Sequence, residues 1–275
     1  AISIAIIVFF QLLFPTTITE PIKETEDEII APAASIEDQK NNTLEIVKPK
    51  EDVLISSKRV NIETPSVKGS INLTGAILDD LTLSNYRESL DENSNNISLF
   101  SPDGTSNPYY IEFGWKELRS EKVELPNLET KWLTNSSTLS PNSPVILSWT
   151  NKENITFLIN LSIDNNYMFS VSQQVINNGS NNLEIYPYRL IKRINTPNTI
   201  NFFILHEGLI SLINDELLEK NYDDLLDDCN SNISTKDSYC DVKTQGGWLG
   251  FTDKYWMSVL IPDPNEPINV NYRHG

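Results

Sequence analysis

Nine acidic and two basic residues crowd positions 215–241, a local charge of −7. Asp223, Asp224, Asp227 and Asp228 lie at the centre of that stretch. Carboxylates at such density can ligate a hard cation, work as acid and base, or steer a basic partner. A calcium loop needs oxygen ligands at alternate positions around a tight glycine turn, and this stretch contains no glycine. Adjacent residues of a strand point to opposite faces. The pairs Asp79-Asp80, Asp223-Asp224 and Asp227-Asp228 therefore read as solvated turns and edges rather than as acid/base dyads. His206-Glu207 is the remaining acid/base candidate, at the end of an apolar run and before Gly208. A histidine hydrogen-bonded at a strand end accounts for the same pattern. There is no P-loop, no GxGxxG after a strand, no HExxH and no GxSxG. No catalytic, cofactor-binding or metal-binding residue is assigned. The four aspartates are a candidate partner-contact patch.

Cys229 and Cys240, the only cysteines, lie inside the same acidic stretch. A bridge between them in an oxidising compartment would contribute roughly 3 kcal/mol; two unpaired thiols are the other reading. Two histidines leave little room for His-rich metal sites.

The elements that must position these residues begin at residue 59. Ile155, Phe157, Ile159, Leu161 and Ile163 alternate with Thr156, Leu158, Asn160 and Ser162. Asp164-Asn165-Asn166 is turn chemistry. Tyr167, Phe169, Val171, Gln173 and Val175 then alternate again up to Asn177-Asn178-Gly179, which reads as an antiparallel hairpin with one buried face. Shorter runs of the same kind occur at 71–85, 201–205 and 255–261. A helical period is weak and local: Leu217, Leu218, Tyr222, Leu225 and Leu226 could share one face. Many strands and almost no helix over 59–275 argue for a mainly β chain, a large β-sandwich. No fixed-length repeat suggests a propeller or solenoid.

Over its 275 residues the chain carries 21 basic and 38 acidic residues, a net charge of −17. That balance argues against nucleic acid as a partner, because phosphate binding needs a basic face. It also argues against docking on anionic lipid through a basic patch. The 10 Phe, 10 Tyr and 5 Trp are enough to build a core. Triplets such as Asn72-Leu73-Thr74 follow from the Asn-rich composition and do not imply glycosylation.

Residues 1–14, AISIAIIVFFQLLF, have Gln11 as their only strongly polar side chain. As a helix they would span roughly 21 Å, short of the roughly 30 Å hydrocarbon core. The expectation is the outer end of an uncleaved transmembrane anchor, because Phe14-Pro15-Thr16-Thr17-Ile18 is a poor cleavage site. Residues 15–58 hold four prolines, no aromatic residue and runs such as Glu24-Thr25-Glu26-Asp27-Glu28. They read as a disordered linker.

Several blocks together resemble the YidC-type membrane protein insertases. Residues 60–88, with Gly69-Ser70-Ile71, Gly75-Ala76 and Asp79-Asp80-Leu81, are similar to the opening of their large periplasmic domain. Residues 149–179, with Tyr167-Met168-Phe169, are similar to its central hairpin. PYRLIKR at 187–193 and ILHEG at 204–208 match later blocks, and GGWLGFTDKYWMSVLIPD at 246–263 is the most specific match. The resemblance covers residues 1–14 and about 60–265. It implies an N-terminal transmembrane helix, a periplasmic β-supersandwich similar to galactose-mutarotase folds, and a five-helix insertase core beyond residue 275. It further implies a location in the bacterial inner membrane with the folded domain in the periplasm. The implied partners are nascent membrane proteins, the Sec translocon with its accessory subunits, and the bilayer through the N-terminal helix. Implied function is insertion and folding of membrane proteins by contact, without enzymatic activity or cofactor. Export to an oxidising compartment favours the Cys229–Cys240 bridge. An alternative of another class is a membrane-tethered carbohydrate-binding or sugar-modifying β-sandwich. A concave pocket lined by Trp or Tyr beside convergent carboxylates would favour it.

Overall fold

Alternation along 155–163 becomes burial in the folded chain. Ile155, Phe157, Ile159, Leu161 and Ile163 are all 5% exposed or less, with Phe157 and Ile159 at 0%. The computed structural model describes residues 47–118, 123–197, 199, 205–230 and 237–275. The expected anchor over 1–14, the linker as far as residue 46, and most of the apolar run at 201–205 lie outside the described residues.

The hairpin forms as its pattern demands. Strand β9 (Ile155–Ile163) pairs antiparallel with β10 (Phe169–Asn177), with Ile163 opposite Phe169 and Ile155 opposite Asn177. Asp164 closes the turn. Its Oδ1 accepts from the amides of Asn166 at 2.8 Å and Met168 at 3.0 Å. β8 (Val145–Thr150) and the short β6 (Leu133–Thr134) complete a four-stranded sheet in the order β10-β9-β8-β6.

A larger sheet carries the rest of the N-terminal half. It contains β1 (Arg59–Glu63), β2 (Val67–Asn72), β3 (Ile77–Arg87), β4 (Asn96–Phe100), β5 (Tyr109–Glu117), β7 (Thr138–Leu139) and β11 (Ile185–Arg193). Its order is β11-β5-β3-β2-β1-β7, with β4 also on β3. The inner face of this sheet packs on the four-stranded sheet around Val60, Ile62, Ile71, Phe113 and Trp115. Trp115 stacks on Trp132 with centroids 6.2 Å apart and meets Phe157 edge-on at 5.1 Å. Two sheets enclosing one apolar layer make a β-sandwich, as the pattern indicated.

A third sheet, β13-β12-β15-β16, consists of β12 (Gly208–Ile213), β13 (Glu216–Lys220), β15 (Trp248–Thr252) and β16 (Met257–Leu260). A ladder of β14 (Asp241–Gln245) and β17 (Pro267–Asn271) lies beside it. Together they enclose a second apolar cluster of Leu209, Ile213, Leu225, Val270, Tyr272 and the two cysteines. Phe251, Trp256 and Leu260 reach from this third sheet to the main core.

Two expectations are corrected here. The helical face over 217–226 splits: Leu217 and Leu218 belong to strand β13, and the helix is confined to Tyr222–Asp228. Asp79 and Asp80 are not solvated; they are 3% and 8% exposed. The reason is a β-bulge. Ser70 pairs with Asp80 and Ile71 with Leu78, so Asp79 is an extra residue in β3 and the alternation breaks. Asp79 then takes the guanidinium of Arg59. Asp80 accepts from Ser70 Oγ at 2.8 Å and pairs with Lys50 Nζ at 2.8 Å. Burial pushes the Asp79 carboxyl up from its ordinary pKa, and Arg59 opposes that shift.

Lys50 begins a short helix, α1 (Lys50–Leu54). Its ammonium also donates to the Phe100 carbonyl at 2.7 Å, and the Lys48 amide donates to Gly104 O at 2.9 Å. Residues 47–58 therefore carry structure and contacts, and the folded unit starts before residue 59, where the linker was expected to end.

Replacing Arg59 with Met would leave the Asp79 carboxylate buried and unpaired. We expect Arg59→Met to cost about 3–5 kcal/mol, measured as a drop in the urea midpoint at unchanged slope.

Candidate functional site

The four aspartates of the acidic stretch sit on or beside one short helix, α2 (Tyr222–Asp228), and they do not act alike. Asn221 caps the helix: its side chain accepts from the Asp224 amide at 2.8 Å, and Asp224 Oδ2 accepts from the Asn221 amide at 3.2 Å. Asp228 accepts from the Tyr239 hydroxyl at 2.8 Å and from Lys220 Nζ at 3.3 Å. The Tyr239 hydroxyl, and then Lys220, hold the Asp228 carboxyl below its ordinary pKa. Asp224 and Asp228 are thus structural. Asp223 and Asp227 are exposed, four residues apart on one helix face, and form no ion pair among the described residues. They are the part of the patch available to a partner.

Tyr222 fixes this helix to the body. Its hydroxyl accepts from Arg193 Nη1 at 3.0 Å, and its ring stacks on Phe251 with centroids 6.0 Å apart. Burial pushes the Tyr222 hydroxyl up to about 12. Arg193 also grips both oxygens of Asp253, at 2.7 and 3.3 Å, and lies 4.5 Å from the Tyr109 ring. One arginine therefore joins β11, α2 and the end of β15.

Cys229 ends α2 and Cys240 ends the single turn Ser238–Cys240. They form a disulfide with Cα atoms 5.6 Å apart, both fully buried. Around it, the Tyr272 amide donates to Cys240 O at 2.9 Å and the His274 amide to Cys229 O at 3.0 Å.

His206 Nε2 donates to the Leu209 carbonyl at 2.7 Å, the strand-end arrangement. No serine or cysteine nucleophile is placed against it among the described residues. No group of three His, Cys, Asp or Glu residues is placed to hold a metal ion among them either.

A cleft of about 720 Å³, which the sequence patterns did not announce, opens on the seven-stranded sheet. Its floor is the inner face of the seven-stranded sheet: alternate residues Leu81 and Leu83 of β3, Ile111 and Phe113 of β5, Pro187 and Arg189 of β11. Its walls differ in kind. Consecutive residues Val171, Ser172 and Gln173 of β10, and all four of β16, line it. Consecutive strand residues point to opposite faces, so the cleft runs along the backbone edges of these two strands. Gln173 Nε2 donates to Gly114 O at 2.8 Å, while Gln173 Oε1 is buried without a hydrogen-bond partner among the described residues. Tyr86, Tyr167, Tyr255 and Trp256 surround the mouth with Asp263 and Glu266. Those rings and carboxylates are the rim a sugar site would have, but Tyr86 and Trp256 pack on each other at 4.6 Å. Apart from the Arg189 guanidinium the floor is aliphatic and aromatic, with few groups to bond sugar hydroxyls. An apolar, extended segment suits it better.

Glu112 was missed by the sequence patterns. It lies in β5, 6% exposed, with no hydrogen bond or ion pair among the described residues. Burial pushes its carboxyl above the ordinary range, with the Lys192 charge opposing and Asp103 adding to it.

The sequence model of the YidC periplasmic domain matches residues 59–275. The chain is 39% identical over 227 residues to the membrane protein insertase YidC of Methylorubrum extorquens, covering 79% of this chain and 35% of that protein. It is 41% identical over 219 residues to the protein of that name from Methylobacterium radiotolerans, covering 79% and 35%. It is 35% identical over 281 residues to that of Rickettsia canadensis, covering 100% and 48%. The chain thus spans about a third to a half of the length of the curated relatives it matches.

Two measurements check this electrostatic and covalent reading. Because the folded-state pKa of Glu112 is raised, its charged form opposes folding, and stability is lost as pH rises above the unfolded carboxylate value. Glu112→Gln should melt higher than the parent at pH 7, with the difference fading by pH 4. Cys229→Ser with Cys240→Ser should cost about 3 kcal/mol, and thiol counting on the denatured parent should find no free thiol.

Proposed function

Since the chain belongs to the YidC periplasmic domain family, we propose that it is the periplasmic interaction domain of a bacterial inner-membrane protein insertase and chaperone. The observation that carries this reading is the match over residues 59–275, which coincides with the folded β unit. The whole protein's work is to help membrane proteins enter and fold in the bilayer, alone or with the Sec translocon. Residues 1–14 are proposed as the outer end of an anchor in the bilayer, and the proline-bearing, aromatic-free stretch that follows as the tether of the domain on the periplasmic side.

This domain works by contact. Asp79, Asp80, Asp224 and Asp228 are engaged in a bulge, ion pairs and a cap, and the histidine at 206 bonds a backbone carbonyl. The contact surface most open to a basic partner, such as an accessory subunit of the translocon, is Asp223 and Asp227 on α2. Surface charge of this kind raises the association rate and is screened over about 8 Å at physiological salt.

Full-length protein supplied to cells depleted of their own insertase should restore membrane insertion of a small two-span client, scored by protease accessibility. Failure to restore it would overturn the insertase reading. Asp223→Asn with Asp227→Asn should slow association with purified Sec accessory subunits several-fold at low salt and leave the melting temperature unchanged. An unchanged rate would remove this surface. Asp224→Asn and Asp228→Asn, by contrast, should lower stability.

A further inference from the structure

One lysine is the chief fastening of α1. The helix has no buried residue and no side-chain hydrogen bond at its N-cap, Pro49. Val53 and Leu54 are only half-buried, and Glu51, Asp52, Ile55 and Ser56 are exposed. Five residues are too few for a helix to persist in water on its own hydrogen bonds. The helix therefore holds its place through what Lys50 reaches.

That destination is complete. An ammonium has three N–H donors, and Lys50 Nζ meets three acceptors: Phe100 O at 2.7 Å, Asp80 Oδ1 at 2.8 Å and Ser98 Oγ at 2.9 Å. The two side chains of the ion pair are 20% and 12% exposed. All three acceptors belong to β3 and β4, at two breaks in the strand ladders. Asp79 is extra in β3 against β2. Leu81 pairs with Phe100 and Thr82 with Ser98, so Leu99 is extra in β4. Such bulges re-aim side chains and take backbone groups out of the ladder. Asp80 is also oriented from behind. Its Oδ2 accepts from Ser70 Oγ at 2.8 Å, and Ser70 Oγ accepts from Arg59 Nε at 2.7 Å. Arg59 is held in turn by Asp79. These groups stand on β1, β2, β3 and β4, and none is on α1.

We infer that Asp80, Ser98 and the Phe100 carbonyl form a socket for a primary ammonium, which the protein closes with its own Lys50, so that residues 47–56 are a removable strap over a lysine-binding site. Three acceptors converging on one nitrogen suit a tripod of N–H groups and do not suit a planar guanidinium. Asp80 is 8% exposed, and a carboxylate so buried is costly without a cation. The strap is therefore exchanged for another ammonium rather than simply shed. The ligand class is an unbranched primary alkylammonium, the group that a lysine of a second polypeptide presents. The closed strap is an autoinhibitory contact. The inference stands on this geometry and is independent of the insertase reading.

The test uses the full-length protein. In Lys50→Ala, the amides of residues 50–56 should exchange with solvent about tenfold faster or more, while those of β1, β2 and β3 keep their protection. n-Propylammonium replaces the atoms that the substitution removes. It should raise the melting temperature of Lys50→Ala by several degrees and leave that of the parent unchanged. Tetramethylammonium, which carries the charge without an N–H donor, should do neither at matched ionic strength. Lys50→Arg should leave the strap as fast to exchange as Lys50→Ala does. Because Lys50→Ala leaves Asp80 unpaired, a second variant combines it with Asp80→Asn, whose amide oxygen can still accept from Ser70. That variant should show a fast strap on a protected sheet and no response to n-propylammonium. Slow strap exchange in either alanine variant would overturn the inference. So would loss of sheet protection in the combined variant, equal rescue by tetramethylammonium, or parent-like strap protection in Lys50→Arg.

Discussion

The inner face of the seven-stranded sheet must be kept from water, and no single sheet covers it. Apolar side chains stand along β1, β2, β3 and β5 on that face, and exposing them would forfeit roughly 25 cal/mol for each Å². The β10-β9-β8-β6 sheet covers one part with Phe157, Ile159 and Leu161. Phe251, Trp256 and Leu260 of the third sheet cover another part. The seam between the two covers is the cleft. This cleft is thus a consequence of how one apolar surface is shared between two lids.

The same sharing explains where charge is tolerated inside. A carboxylate buried alone in a sheet is costly. The bulge at Asp79 lets two adjacent aspartates each meet a cation: Arg59 from the neighbouring strand system and Lys50 from α1. Arg193 performs a similar role at the other end, tying Asp253, Tyr222 and Tyr109 together. Both clusters lie where separate pieces of chain meet. They set the positions of α1 and α2 against the sheets, and with α2 the two free aspartates at 223 and 227.

Asp79, Asp80, Asp224, Asp228 and Asp253 thus fasten elements to one another in a chain that belongs to the YidC periplasmic domain family. A net charge of −17 favours solubility and attracts positive charge as a matter of general electrostatics.

The β9–β10 hairpin, the sandwich class and the family were legible in the sequence. Alternation with period two over nine residues has one physical solution when a face must be buried, and Asp164-Asn165-Asn166 sets the register of the turn. The fate of the aspartates was not legible. A bulge depends on how β2 registers against β3 on either side of Asp79, and that pairing, such as Ser70 with Asp80, is made between residues about ten positions apart with no local signal. Asp223 to Asp228 look alike in sequence, yet Tyr239, Lys220 and the Asn221 cap divide them into fastened and free. Glu112 and the cleft were invisible for the same reason: burial of one, and the gap beside the other, arise only when strands distant in sequence are stacked. Local pattern determines which face of a strand is apolar. Which surfaces then meet, and which edges remain open, is decided by long-range packing, where three sheets compete to cover one core.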